Sequence, residues 1–183
     1  MLFRSSLNAS QQFFGYGLSR KSKGSTFSIG EIDPKLSAQT GNFSYFPVFP
    51  SSLNSTYDFW KLPLLSINIG NGHLDLSSSP SKIPFANSPI AVLDTGTTLI
   101  LGPTDAVNAF WTLVGDASLG ADGMWRLGCD RIPDVSFVLG NNTENATIAL
   151  NPSDVVWLAA GSVDGLCLGG IQSNDDVCHI FYY

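Results

Sequence analysis

Charge is scarce in this sequence: Asp, Glu, Lys and Arg make up 13% of its 183 residues, against roughly 25% in an ordinary globular domain. Basic charge is scarcest. Residues 1–35 hold five Lys/Arg against two acids, but residues 36–183 hold four against thirteen, for a net charge of −6. A phosphate backbone wants the opposite sign, so nucleic acid is not an expected partner. Apolar runs are short, none approaching the roughly 18 residues of a membrane-spanning helix, so no membrane span is expected. There are two histidines, His73 and His179, and no Gly-x-Ser-x-Gly. A Ser/His/Asp or Cys/His hydrolase is therefore not indicated, and the adjacency of Cys178 and His179 carries no weight because catalytic pairs meet in space. With no Cys-x-x-Cys and no His-Glu-x-x-His, neither metal nor cofactor is expected. The Gly165-Leu-Cys-Leu-Gly-Gly170 stretch lacks the Lys and following helix of a phosphate loop. Repeats, heptads and low-complexity linkers are missing too, which leaves one domain or at most two small ones.

What the sequence does hold is apolar area, 44% of residues, and a polar cover of 23 Ser, 18 Gly and 10 Pro. That apolar content excludes intrinsic disorder. An acidic, charge-poor surface suits work at low pH, where protonation relieves repulsion between carboxylates. Five Asn-x-Ser/Thr sequons at Asn8, Asn42, Asn54, Asn141 and Asn145 are candidate N-glycosylation sites and lean toward a secreted glycoprotein. Three cysteines, Cys129, Cys167 and Cys178, allow one disulfide and an odd thiol. The opening Met1-Leu-Phe-Arg-Ser-Ser has no basic region leading into an apolar core, so it does not read as a signal peptide. A secretory body without that address is expected of a chain that has lost its start.

Patterning predicts an all-β chain. Strands are expected over residues 12–19, 25–30, 42–49, 62–70, 90–94, 124–129, 133–140 and 146–150, with Gly, Pro, Asn and Ser between them. Asn71-Gly72 marks a hairpin turn. One helix is expected over 103–114, with Val107, Phe110, Trp111 and Val114 on its core face, and a short one over 152–157 capped by Asn151. Neither offers chemistry. Arg20, Lys21 and Lys23 read as a solvated basic turn, and the aromatic residues as core and cleft wall.

The chemistry lies in Ile90-Ala-Val-Leu-Asp-Thr-Gly-Thr-Thr-Leu-Ile-Leu-Gly-Pro103. Four apolar residues lead into a carboxylate, which is costly to bury unless local donors satisfy it. Gly96 allows a tight turn that aims N–H groups at Asp94, and the hydroxyls of Thr95, Thr97 and Thr98 are nearby donors. A buried, ionised and positioned Asp94 is the expectation. Asp-Thr-Gly alone is a common triplet; with its apolar lead, its Thr-Thr-Leu-Ile tail and a Gly-Pro opening a helix, it resembles the second active-site strand and turn of pepsin-like aspartic proteases. Other pieces follow that family's order. Phe14-Gly-Tyr-Gly-Leu-Ser-Arg20 with Gly24-Ser-Thr-Phe-Ser-Ile-Gly-Glu-Ile-Asp-Pro34 resembles the strand pair opening its C-terminal lobe. Phe59-Trp60, Ile67-Asn-Ile-Gly70, Trp125-Arg-Leu-Gly-Cys129, Ile132-Pro-Asp-Val-Ser-Phe137, Leu150-Asn-Pro152 and Cys167 come next, so the resemblance spans about residues 12–170.

The resemblance implies one half-barrel lobe of a bilobal aspartic endopeptidase acting on peptides at acidic pH, secreted or vacuolar. Asp94 is then one of two catalytic aspartates. In the family two such turns face each other and their carboxylates share a proton. By the same resemblance Thr97 bonds the outer oxygen of Asp94, Gly96 N–H orients it, Thr95 ties the turn to the opposite lobe, and Cys129 pairs with Cys167. This chain departs from the pattern. It has one Asp-Thr-Gly, Asp164-Gly165 lacks the hydroxyl residue, and no N-terminal lobe is recognisable. The closing hydrophobic-hydrophobic-Gly-Asp segment should begin where Cys178–Tyr183 stands, so the last strands are expected to be missing. Phe137-Val-Leu-Gly140 has matching letters but reads as a strand and turn. The isolated chain is expected to be inactive. The alternatives are a non-catalytic protease-like binding or inhibitor module and, less favoured because of the helix and an insertion over 41–58, a homodimer in which two copies of Asp94 meet.

Overall fold

The computed structural model describes residues 7–19, 23–34, 43–50, 57–76, 89–157, 165–175 and 180–182. The chain forms two compact units, Met1–Tyr45 and Phe46–Tyr183. The first holds a 3-10 turn, Ala9–Gln11, and an antiparallel pair, β1 (Phe14–Gly17) and β2 (Thr26–Ile29), in register Phe14 to Ile29. Tyr16 and Phe27 pack across the pair with ring centroids 4.9 Å apart and planes tilted by 36°.

In the second unit the strands are β3 (Trp60–Ile69), β4 (Gly72–Asp75), β5 (Ile90–Leu93), β6 (Ile100–Gly102), β7 (Ala117–Leu119), β8 (Trp125–Gly128), β9 (Val135–Gly140), β10 (Asn145–Ala149), β11 (Val156–Trp157), β12 (Leu166–Gly169), β13 (Ile171–Ser173) and β14 (Ile180–Tyr182). Helix α1 (Thr104–Val114) and the short α2 (Pro152–Val155) complete it. An eight-stranded sheet runs β10-β9-β3-β5-β14-β6-β13, with β4 also on β3; a four-stranded sheet runs β11-β12-β8-β7. Among the described residues the class is all-β, with α1 and α2 beside the sheets and no closed barrel.

Strand β3 is the hub. Its first residues pair with β5 (Trp60 to Leu93, Pro63 to Ile90), and its last ones with β9 and β4 together. Pro63 falls where the partner changes, which is where a strand tolerates a missing N–H. The core gathers under this sheet. Leu64, Ile67, Val107, Phe110, Val155 and Ile171 are fully buried. Helix α1 brings Val107, Phe110 and Trp111 inward at the expected spacing, each worth about 1.5–3 kcal/mol on burial. Val114 is only half-buried. Trp111 stacks on Trp125 and donates its indole N–H to the Ile171 carbonyl at 2.9 Å, which ties α1 to β13.

Four expectations need correction. Residues 43–49 form no strand, because Pro47 and Pro50 remove ladder donors and Phe49 makes a single bond, its N–H donating to the Lys61 carbonyl at 2.9 Å. The hairpin loop between β3 and β4 is Gly70-Asn71, one residue early: Ile69 pairs with Gly72, and of the two loop residues only Gly70 has positive φ, at 53°. The helix at 152 stops at Val155, since Val156 is extended and pairs with Gly169. Residues 180–182, where a crossing segment was expected only to begin, already form β14, parallel to β5 and bridged to β6. Asn42, Asn54, Arg20, Lys21, Asp164, Cys178 and His179 lie outside the described residues.

Candidate active site

Buried apolar side chains at Ile90, Ala91 and Val92 anchor β5 in the sheet, and Leu93, 39% exposed, carries the chain outward to Asp94. After a turn over 94–99 the chain returns as β6. Strand β14 lies between β5 and β6, and β13 flanks β6 in parallel. The two strands that deliver and receive the turn are therefore held apart by a third, which pins both ends of a short, polar loop. None of β6, β13 and β14 was expected from the sequence; each is three residues long, too short to carry a readable period.

Within the turn the carboxylate has two donors. Gly96 N–H donates to Asp94 Oδ1 at 2.9 Å, and Thr97 Oγ1 donates to Oδ2 at 2.5 Å. Both favour the charged form, so the Thr97 hydroxyl first and the Gly96 N–H second hold the Asp94 carboxyl below its usual range, against a smaller opposing effect of burial. Gly96 serves close approach rather than a left-handed turn, since a Cβ there would sit 3.2 Å from Asp94 Oδ1. The expectation of a buried Asp94 does not hold. The residue is half-buried, because burial along β5 ends at Val92 and the carboxylate stands beyond the exposed Leu93. Thr95 and Thr98 are exposed and do not bond the carboxylate. An ionised, oriented and reachable carboxylate suits proton transfer, provided a second acid group faces it.

The other candidates separate cleanly. His73 is exposed in β4 and its ring meets the Asn68 amide oxygen at 2.8 Å. Residues 166–169 are strand β12. Cys129 and Cys167 form a disulfide that fastens the end of β8 to β12. Among the described residues no group of three His, Cys, Asp or Glu could hold a metal ion, and no helix is long and apolar enough to cross a membrane. Asn8, Asn141 and Asn145 are exposed. Asp122 is also held below the usual carboxylate range, by Arg126 and then by the Met124 N–H, but this clamps the β7–β8 loop onto β8. A cavity of about 280 Å³ lined by Val114, Asp116, Leu127, Asp130, Arg131 and Pro133 includes no residue of the Asp94 turn. Sequence reasoning missed Asp175. Its carboxylate accepts from Thr104 N–H and Thr104 Oγ1, both at 2.8 Å, and so caps α1, whose own N-cap is Pro103. The partners are 71 residues apart, and no local pattern announces them.

Comparison with known proteins agrees with this architecture. The family model described as eukaryotic aspartyl protease matches residues 4–181. Pregnancy-associated glycoprotein of Equus caballus is 28% identical over 172 residues, 92% of this chain and 38% of its own. Pepsin II-1 of Oryctolagus cuniculus is 33% identical over 131 residues, 70% of this chain and 30% of its own. The aspartic proteinase from Irpex lacteus shares the fold, with a TM-score of 0.63 and 22% identity over 92% of this chain and 48% of that one. The chain thus spans roughly a third of the length of these curated relatives. A strand-held Asp-Thr-Gly turn and a match along almost its whole length place this chain in the eukaryotic aspartyl protease family.

Proposed function

We propose that these residues form the C-terminal-type lobe of an aspartic endopeptidase and that Asp94 is one of its two catalytic carboxylates, working on peptide or protein substrates at acidic pH. The observation that carries this reading is the Asp94 turn. Each carboxylate oxygen is held by one donor from its own loop, and the group remains reachable from solvent. A carboxylate ionised at mildly acidic pH can take a proton from water. The carbonyl of the scissile bond then needs a proton from elsewhere, which a second acid group supplies in a pair sharing one proton. These 183 residues contain one Asp-Thr-Gly, so the second carboxylate comes from a further lobe. Thr97 and Gly96 act as positioning groups, and Thr95 faces that lobe. A secreted or vacuolar compartment fits the Cys129–Cys167 disulfide.

The single Asp-Thr-Gly also favours a second reading, a binding or inhibitor module without turnover. Cleavage of casein or a fluorogenic peptide at about pH 3–5, with and without pepstatin, separates the two. The 183-residue chain alone is expected to be inactive. In a protein that adds a lobe bearing a second Asp-Thr/Ser-Gly, activity is expected, and Asp94→Asn abolishes it with the fold retained. An active Asp94→Asn protein refutes the assignment. Pepstatin-sensitive turnover by the isolated chain instead points to two copies of Asp94 meeting.

A further inference from the structure

We propose that Asn141 is the N-glycosylated residue of the β9–β10 hairpin, and that Asn145, four residues on and bearing an equally good sequon, is left unmodified. The motif requires a hydroxyl on its third residue, so the chemistry depends on bringing that hydroxyl to the asparagine amide. At Asn141 the backbone does this. Gly140, with φ of 116°, ends β9, and the Asn141 N–H donates to the Glu144 carbonyl at 2.8 Å to close the loop. The Asn141 side-chain oxygen then accepts from Thr143 N–H at 2.9 Å, Thr143 Oγ1 at 2.7 Å and Glu144 N–H at 2.8 Å. The amide is polarised by three donors, while its Nδ2, the atom to be modified, donates to no group among the described residues. Residues 141–145 are all exposed, so a glycan there meets solvent.

Asn145, equally exposed, differs in its backbone and in its amide contacts. It is the first residue of β10, paired with Gly140, and the extended chain puts Thr147 roughly 7 Å further along the strand. The Thr147 hydroxyl is thereby kept from the amide. Asn145 Nδ2 is already donating, to the Asn141 carbonyl at 3.3 Å. The turn at Asn141 is closed by bonds spanning two or three residues, so it can form before the sheet does, at the stage when chains are modified. The co-reactant is a lipid-linked oligosaccharyl pyrophosphate. Its anomeric C–O bond breaks with the electron pair leaving on the pyrophosphate, the new bond forms from that carbon to Nδ2, and Nδ2 gives up one proton. The disulfide Cys129–Cys167 indicates passage through an oxidising compartment, where such donors are found.

The test is site-resolved mass spectrometry of the full chain, carrying an appended secretion signal, from a eukaryotic host. Total cell protein is digested after enzymatic deglycosylation in heavy-oxygen water, so efficient secretion is not needed. Heavy Asp is expected at position 141 and unchanged Asn at 145. Asn141→Gln and Thr143→Ala each remove one glycan-sized step on a denaturing gel, whereas Thr143→Ser and Asn145→Gln do not. Because the gel reads covalent mass, the variants report even if they fold poorly. An unmodified Asn141 in disulfide-bonded chain, or an occupied Asn145, overturns the proposal.

Discussion

Reduction of the Cys129–Cys167 disulfide is expected to cost about 4 kcal/mol of folding stability, most of it through the unfolded chain. The two cysteines are 38 residues apart, and the segment between them carries β9, β10 and α2. Closing a loop of that size removes roughly 13 cal/mol/K of chain entropy from the denatured state, about 4 kcal/mol at room temperature. The native state loses little when the bond opens, since Cys167 is held by β12 pairing with β8 and stays buried either way. In a protein of this size the melting temperature should fall by roughly 8–16 °C. The assay is urea unfolding followed by tryptophan fluorescence, with and without a reductant, after peptide mapping has shown that Cys178 is not part of the bond. A further signature distinguishes this account from a packing effect. The crosslinked denatured state exposes less surface, so the oxidised protein should unfold with the smaller m-value. Replacing both cysteines by alanine should match reduction plus a small packing loss. A stability change under about 1 kcal/mol with unchanged m-value would refute the reasoning, because the loop constraint would then not reside in the denatured state.

Thr97→Val removes the stronger of the two bonds on Asp94, so the carboxyl should titrate at higher pH, as read by carbon-detected NMR; an unmoved titration would mean that Thr97 does not hold the charge. The sign for stability follows: the depressed folded pKa contributes above the unfolded pKa and is lost as pH falls through the folded value, so Thr97→Val narrows an acid-side dependence. Asp175→Ala uncaps α1 and should cost about 1 kcal/mol in urea unfolding, with early loss of amide protection at Thr104 in hydrogen exchange. Wild-type protection there would assign the cap elsewhere.

Much of the fold was legible locally. The face of α1 follows from a 3.6-residue spacing that names Val107, Phe110 and Trp111 without knowledge of their partners. Asn151 announces a helix start because its side chain reaches only two residues on, to Ser153 N–H at 3.0 Å. Strands β3, β5 and β9 carry enough β-branched and apolar residues to declare themselves. The donors on Asp94 sit two and three positions away, so the chemistry of the turn was also written in one short stretch. Burial was not, because it depends on what lies beside the turn rather than within it.

Tertiary structure decided everything that needs a distant partner. Residues 43–49 look like a strand by composition, yet a strand exists only where a neighbour accepts its hydrogen bonds, and two prolines leave little to offer. Residues 100–102, 171–173 and 180–182 are too short to show a period, yet β14 pairing parallel to β5 and antiparallel to β6, with β13 parallel to β6, makes them the frame of the Asp94 turn. The Thr104 cap is an aspartate 71 residues away. A local pattern is a property of consecutive side chains and can be read along the sequence. The insertion of one strand between two others is a property of the assembled sheet, and only folding brings those backbones within bonding distance.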